Sequence, residues 1–122
     1  MLFNLKILVT GSAGFIGYHL SKSLLEDGYE VLGIDNINNY YDQSLKYARL
    51  EILKSYKNFQ FNKLDISKIE DLKIVFKSFK PKKVVNLAAQ PGVRYSLKAS
   101  SPYISSNIVG FMNIIELCKE KE

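Results

Sequence analysis

The pattern of apolar and polar positions changes period repeatedly along this chain. Short rows that are mostly apolar, typical of buried parallel strands, occur at residues 7–9, 30–35 and 84–88, and residues 59–64 alternate enough to be a further strand. Between and after them, apolar residues recur every three or four positions, as on one face of an amphipathic helix. Strands that alternate with helices favour an α/β fold with a doubly wound parallel sheet, and right-handed crossovers predict the Rossmann-like strand order 3-2-1-4.

Each predicted helix has an apolar stripe, which in an amphipathic helix faces the core. The first helix begins near Gly14 and ends at Asp27-Gly28, and the third ends before Pro81. The stripes are Ile16, Leu20 and Leu24 in the first helix; Leu45, Ala48 or Arg49, Ile52 and Leu53 in the second; Ile69, Leu72, Val75 or Phe76, and Phe79 in the third; and Ile108, Phe111, Ile115 and Cys118 in the last.

Three glycines lie between the first strand and the first helix. Gly11 allows a tight turn out of the strand, Gly14 allows backbone amides to approach a ligand, and Gly17 removes a Cβ where the helix packs against the sheet. The helix start then presents free N–H groups and a positive dipole end, where a pyrophosphate fits. A glycine-rich turn without a ligand is the alternative, but the motif's position between a strand and a helix favours the dinucleotide site.

Asp35 ends the second strand about 20 residues after the glycines, as a dinucleotide site requires. Its carboxylate is suited to accept hydrogen bonds from the adenosine ribose hydroxyls, and its charge would repel a 2′-phosphate. The sequence therefore favours NAD over NADP. The alternative is an acid that caps the next turn.

Two further polar residues each have two interpretations. Asp65 helps to cap the helix after Ser67, or it bonds the adenine amino group while Ile66 covers the ring. Asn107 is a surface amide of the last helix, or an amide that reaches into the cofactor cleft. The crevice between the first and fourth strands, where the strand order reverses, is the expected place for the ligand.

The composition sets limits on the class of protein. A chain of 122 residues with 47% hydrophobic residues forms one domain with a core. The single cysteine, Cys118, excludes an internal disulfide and a cysteine-cluster metal site, and its register predicts a buried structural thiol. No metal site is predicted.

The net charge of +5 raises the question of nucleic-acid binding. The lysines are spread along the chain, and the one dense group lies around a helix end, where cations interact favourably with the dipole. That group is Lys77, Lys80, Lys82 and Lys83. We therefore expect a solvated basic surface and no nucleic-acid partner. With no apolar stretch suited to a signal peptide or a membrane span, a cytoplasmic protein is expected.

Three stretches of the sequence carry a family resemblance that covers essentially the whole chain. They are residues 10–17 (TGSAGFIG), residues 35–50 (DNINNYYDQSLKYARL), and residues 87–96 (LAAQPGVRYS) with 106–110 (SNIVG). The first resembles the glycine motif of the NAD-dependent epimerases and dehydratases of nucleotide sugars, in the extended short-chain dehydrogenase/reductase superfamily. Together the stretches are most similar to bacterial UDP-glucuronate 4-epimerases.

The resemblance implies a role for each site residue. The residues implied to hold the pyrophosphate are Gly11, Gly14, Phe15, Ile16 and Gly17. Those implied to hold the adenosine are Asp35 and Asn36 at the ribose, and Asp65 and Ile66 at the adenine. Those implied to lie along the nicotinamide half are Leu87, Ala88, Ala89, Gln90 and Asn107. Arg94 and Ser96 fall in the loop that borders the sugar in this family. The alternative for Arg94 is a loop arginine that is merely exposed to solvent.

The resemblance also implies a mechanism. In such enzymes a tyrosine removes the proton of the sugar 4-hydroxyl while the hydride passes to NAD, and a Tyr-x-x-x-Lys motif supplies the tyrosine and the lysine that lowers its pKa. The single match here is Tyr18 with Lys22, on the helix that follows the glycines, which we expect to be unrelated to catalysis. His19 is expected at the surface.

This chain therefore corresponds to the amino-terminal NAD-binding portion of such an enzyme, truncated before the later strands and the substrate domain, and no catalytic residue is assigned. Three hypotheses follow: part of a UDP-glucuronate 4-epimerase, part of a sugar-nucleotide 4,6-dehydratase, or a stand-alone NAD-binding module. An uncovered apolar edge at the fourth strand predicts self-association.

Overall fold

The computed structural model of the chain describes residues 5–38, 43–88 and 108–120. Within these ranges the elements are β1 (Lys6–Thr10), α1 (Phe15–Glu26), β2 (Glu30–Asp35), α2 (Gln43–Lys54), β3 (Phe59–Lys63), α3 (Ile69–Phe79), β4 (Lys83–Asn86) and α4 (Gly110–Glu120). The strands form one parallel sheet in the order β3-β2-β1-β4, which confirms the predicted fold class and strand order.

The carboxyl ends of three neighbouring strands lie in register. Thr10, at the end of β1, is paired with Ile34 of β2 and with Asn86 of β4. The segments that follow these strands therefore emerge along one edge of the sheet. In an open parallel sheet this is the edge at which ligands bind.

The core lies on both faces of the sheet. Leu8 and Leu32 belong to one buried cluster, with residues of α3 and α4. Ile7, Val9 and Val31 belong to the other, with residues of α1 and α2. Because successive side chains of a strand point to opposite faces, strands covered by helices on both faces need an unbroken apolar row.

The helices exist where the sequence predicts them, but in three of the four the buried residues differ in part from the predicted stripe. Leu53 of α2 is buried as predicted, and Leu20 and Leu24 of α1 pack half-buried against the core. The stripe of α3 is confirmed, with Leu72, Val75, Phe76 and Phe79 buried. The buried residues of the others are Gly17, Ser21 and Leu25 in α1, Leu50 and Leu53 in α2, and Gly110, Ile114 and Leu117 in α4. The exposed members of the predicted stripes include Ile16, Leu45, Ile52, Ile108 and Phe111. In α1 and α4, small residues occupy part of the buried face, and small residues add little to a hydrophobic pattern.

The helix ends agree with the sequence signals. Asp27 caps α1, and Gly28 follows with φ 93°, in the left-handed region that favours glycine. The last turn of α3 carries Lys77, and Lys80 forms its cap. Cys118 is half-buried beside the cluster under α3 and α4, and burial raises the pKa of its thiol. Within the described ranges, no helix has the length and apolar character needed to cross a membrane.

Candidate dinucleotide-binding site

A cavity of about 740 Å³ lies at the carboxyl ends of the strands, a volume typical of sites for organic ligands. The structure places most of the predicted cofactor residues in its wall. They are Gly11, Gly14, Phe15, Ile16, Gly17, Asp35, Asn36, Asp65, Ile66, Leu87 and Ala88. The other predicted residues, Ala89, Gln90, Arg94, Ser96 and Asn107, lie outside the described residues.

Gly11 makes the turn that leads from β1 into the cavity wall. Its φ is +73°, which a side chain would disfavour. A Cβ here would also lie 2.9 Å from the backbone nitrogen of Ala88 and 2.9 Å from the carbonyl carbon of Leu87. Gly11 thus serves the predicted tight turn and, in addition, the close approach of the segment after β4.

Gly17 allows the start of α1 to fold over the preceding turn. A Cβ at Gly17 would lie 2.0 Å from the carbonyl oxygen of Gly11 and 3.0 Å from the Cα of Ser12. A side chain at position 17 would therefore collide with the backbone of the turn, whereas the sequence predicts a collision with the sheet. Position 17 therefore needs a glycine as predicted, but the atoms that a Cβ would meet belong to the turn at Gly11 and Ser12.

The first turn of α1 presents backbone amides to the cavity. Gly14 is the N-cap and supplies no side-chain cap, and the first helical bond runs from the Tyr18 N–H to the Gly14 carbonyl at 2.9 Å. The amides of residues 15–17 therefore have no acceptor within the helix. No acidic side chain lies in this turn. Such a helix end attracts an anion, and its position in the cavity wall fits a pyrophosphate.

Asp35 is buried at the end of β2, where only 5% of it is exposed. Its Oδ1 accepts a hydrogen bond from the Ile37 N–H at 2.8 Å and pairs with Lys46 Nζ at 3.2 Å, and its Oδ2 accepts one from the Ala13 N–H at 3.1 Å. A carboxylate has about four acceptor positions. Within the described part of the chain, one position on Oδ2 stays available, so the turn cap and the ribose acceptor are compatible roles.

Lys46 and Arg49 of α2 also line the cavity, and the sequence analysis did not include them among the site residues. The Lys46 side chain is 12% exposed, and Arg49 Nη1 donates to the carbonyl oxygen of Ala13 at 2.9 Å. Their spacing of three residues places them on one helix face. Two cations at this spacing just after a predicted ribose-binding acid are the signal that could have identified them.

The two predicted roles of Asp65 are likewise compatible. Its Oδ1 accepts hydrogen bonds from the Ser67 N–H at 2.9 Å and the Ser67 hydroxyl at 2.8 Å, which closes the turn before α3. Among the described residues, no hydrogen bond reaches Oδ2, and Asp65 lines the cavity. The neighbouring Ile66 is held from the other side, because Asn113 of α4 donates to its carbonyl oxygen at 2.9 Å.

Thr10 joins the ends of β1 and β4 beneath the cavity. Its buried hydroxyl donates to Asn86 Oδ1 and accepts hydrogen bonds from the N–H groups of Leu87 and Ala88, both at 3.0 Å. The backbone that forms this part of the cavity wall is therefore held by the Thr10 side chain, and also by the Leu87 N–H donating to the Thr10 carbonyl oxygen at 3.2 Å. Thr10 is not among the site residues predicted from the sequence.

Tyr18 and Lys22 do not line the cavity. Lys22 Nζ lies 3.5 Å from Glu26, whose charge raises the pKa of the lysine. The Glu26 pKa is lowered, chiefly by a hydrogen bond from the Tyr56 hydroxyl and then by the charge of Lys22. His19 is exposed, and its ring lies 4.9 Å from the rings of Phe15 and Tyr18.

The parallel sheet, the glycine turn that opens a helix at the cavity and the acid at the end of β2 define the Rossmann-like class of dinucleotide-binding domains. In the described ranges, no group of three or more His, Cys, Asp or Glu side chains is arranged to hold a metal ion. The profile of the GDP-mannose 4,6 dehydratase family matches residues 8–122. The chain belongs to this family.

The similar proteins include nucleotide-sugar epimerases, as the resemblance implied. Protein CapI of Staphylococcus aureus is 54% identical over 112 residues, which are 92% of this chain and 33% of CapI. A UDP-glucuronate 4-epimerase of Thermodesulfobacterium geofontis is 47% identical over 113 residues, 93% of this chain and 35% of that protein. The chain thus spans about a third of the length of these relatives.

Among solved structures, the UDP-glucuronic acid 4-epimerase of Bacillus cereus in complex with UDP-glucuronic acid and NAD superposes with a TM-score of 0.85. The two sequences are 40% identical, and the match covers 94% of this chain and 36% of that one. The cofactor predicted from this sequence, NAD, is the one in that crystal structure.

Proposed function

We propose that the cavity binds NAD, and that this chain is the NAD-binding portion of a nucleotide-sugar 4-epimerase that interconverts UDP-glucuronate and UDP-galacturonate. One observation carries the proposal: the amides at the start of α1 and the carboxylate at the end of β2 converge on one cavity. The substrate class is supported by relatives that are named for this epimerase activity.

The residues of this chain bind and orient the cofactor. The amides of residues 15–17 hold the pyrophosphate, Asp35 accepts a ribose hydroxyl through Oδ2, and Asp65 presents its own Oδ2 to the adenine. Leu87 and Ala88 form the wall beside the nicotinamide half, and the resemblance adds Ala89, Gln90 and Asn107 to that wall. When it is bound, NAD supplies a group that accepts a hydride from the sugar and returns it.

We infer that the groups that move the sugar's protons do not lie in this chain. The one Tyr-x-x-x-Lys in its sequence, Tyr18 with Lys22, does not line the cavity. The chain alone is therefore expected to bind the cofactor without epimerising a sugar. In the longer protein, Arg94 and Ser96 would border the UDP-sugar.

A 4,6-dehydratase is the second candidate, because the matching family profile is described by that activity. The two reactions share the oxidation at C4 and differ afterwards. A dehydratase must then eliminate water across C5 and C6, which needs a hydroxyl on C6. UDP-glucuronate has a carboxylate there, so the choice of substrate separates the two candidates.

The test uses a longer protein that begins with this sequence and contains a downstream Tyr-x-x-x-Lys. It is incubated separately with UDP-glucuronate and with UDP-glucose, and the products are separated by anion-exchange chromatography. The expected result is UDP-galacturonate from the first substrate and no 4-keto-6-deoxy sugar from the second. This chain alone is the matched control and should convert neither. Failure of the longer protein to convert UDP-glucuronate would contradict the epimerase assignment.

A further inference from the structure

The acid at the ribose end of the cavity is accompanied by two cations from α2. Lys46 Nζ lies 3.2 Å from Asp35 Oδ1, and the two side chains are 12% and 4% exposed. Arg49 is tied to the same place by a different contact: it donates to the carbonyl oxygen of Ala13, whose own N–H donates to Asp35 Oδ2. Asp35, Lys46 and Arg49 all line the cavity.

This arrangement differs from a site in which an unpaired acid excludes a phosphate by repulsion. In dinucleotide sites an acid at this position bonds the ribose hydroxyl of NAD, and an arginine nearby accommodates the 2′-phosphate of NADP. This chain has both kinds of group. Because Lys46 is close to Asp35 and both are shielded from water, its charge offsets much of the repulsion that the carboxylate would exert on a phosphate.

We propose that Lys46 and Arg49 form a latent site for an adenosine 2′-phosphate, and that the Asp35 carboxylate keeps it closed by occupying the Lys46 ammonium. The inference rests on the proposed binding of NAD. Lys46 is then a specificity-determining residue: paired with Asp35 it belongs to an NAD site, and freed from Asp35 it becomes a phosphate ligand. A phosphate would be matched by the lysine as a point charge and by the arginine as a donor fork.

Asp35→Asn tests this inference in the whole chain. The amide oxygen can take the place of Oδ1 and still accept the Ile37 N–H. The NH2 at the Oδ2 position cannot accept from the Ala13 N–H, and the neutral amide has no charge to hold Lys46. The dissociation constants of NAD and NADP are measured by isothermal titration calorimetry. NAD is expected to bind about tenfold more weakly and NADP at least about tenfold more tightly than to the unaltered chain, the scale of one charge-assisted hydrogen bond.

A second substitution assigns the gain to the lysine. Asp35→Asn/Lys46→Met should lose most of the increase in NADP affinity, whereas Asp35→Asn/Lys54→Met should keep it. Lys54 is the matched control because it lies on the same helix, is exposed and does not line the cavity. If circular dichroism shows that Asp35→Asn does not fold, the single variant Lys46→Met tests the inference instead, by the same calorimetric measurement. With Asp35 unpaired, the ratio of NAD to NADP affinity should rise about tenfold.

The outcomes separate this inference from the proposed function. If the unaltered chain binds NAD but Asp35→Asn gains no NADP affinity, or keeps the gain when Lys46 is also replaced, the inference is wrong and the proposed NAD site stands. If Lys46→Met leaves the ratio of NAD to NADP affinity unchanged, the inference is likewise wrong and the proposed NAD site stands. If the unaltered chain does not bind NAD, the proposed function is overturned and this inference with it.

Discussion

Single residues around the cavity can meet structural demands and the demands of the proposed NAD site at once. Asp35 and Asp65 each give Oδ1 to the turn that follows the strand and have acceptor capacity left on Oδ2 among the described residues, and both line the cavity. The alternatives that the sequence left open for these acids are therefore compatible. A carboxylate can serve both, because its two oxygens point in different directions and accept about four hydrogen bonds between them.

Gly17 gives a prediction at this scale. In Gly17→Ala the new methyl would meet the Gly11 carbonyl oxygen at 2.0 Å, so the turn or the helix must shift. We expect the free energy of unfolding to fall by about 1–3 kcal/mol, even though alanine favours a helix over glycine by about 1 kcal/mol. Urea unfolding followed by circular dichroism measures it. Ser23→Ala, at an exposed position of α1, is the control, and a Gly17→Ala chain as stable as the original would contradict the account.

At the scale of elements, the cavity depends on how β4 is attached to β1. Thr10→Val keeps the side-chain shape but removes the hydroxyl that accepts from the Ala88 N–H and donates to Asn86 Oδ1, whereas the Leu87 N–H keeps the Thr10 carbonyl oxygen as an acceptor at 3.2 Å. Loss of these partly buried hydrogen bonds is expected to lower the free energy of unfolding by about 1–3 kcal/mol. Thr10→Ser keeps the hydroxyl and should restore most of this stability in the same urea measurement. Equal stability of the valine and serine variants would show that the hydroxyl network is unimportant.

The order and type of the elements could be predicted from the sequence, and the orientation of most helices could not. In α3 the buried residues are Leu72, Val75, Phe76 and Phe79, so here the hydrophobic pattern also predicts which face of the helix is buried. In α2 large apolar residues lie on the exposed side as well, as at Leu45 and Ile52. Periodicity reports that a stripe exists, but it cannot choose between two stripes.

The error in α2 explains what was missed in the site. A helix whose predicted inner stripe is Leu45, Ala48 or Arg49, Ile52 and Leu53 turns Lys46 toward solvent. In the observed helix, Lys46 lines the cavity together with Leu45 and Arg49. The glycines and Asp35 were found because the chemistry of a dinucleotide site fixes both their residue type and their spacing. Cations that are placed by helix orientation have only a weaker signal, the three-residue spacing of Lys46 and Arg49 on the helix after Asp35.

At the scale of the whole molecule, β4 lies at the end of the strand order, and no described strand pairs with its outer edge. An open edge presents unpaired backbone groups to other chains. We therefore propose that this chain self-associates. Light scattering over a dilution series should give a mean mass above the 13.9 kDa of the monomer, and this mass should decrease as the protein is diluted. A constant monomer mass would contradict the proposal.

The central claim is that the helix start and the β2 acid form an NAD site, and calorimetry with a pair of charge variants tests it most directly. Ile16 and Ile74 are 66% and 67% exposed, and of the two only Ile16 lines the cavity. A glutamate at position 16 suits the positive end of α1 but would repel the pyrophosphate. We predict that NAD binds the unaltered chain and Ile74→Glu with equal affinity, and binds Ile16→Glu at least about tenfold more weakly. No binding of NAD to the unaltered chain, or equal binding to all three proteins, would contradict the account.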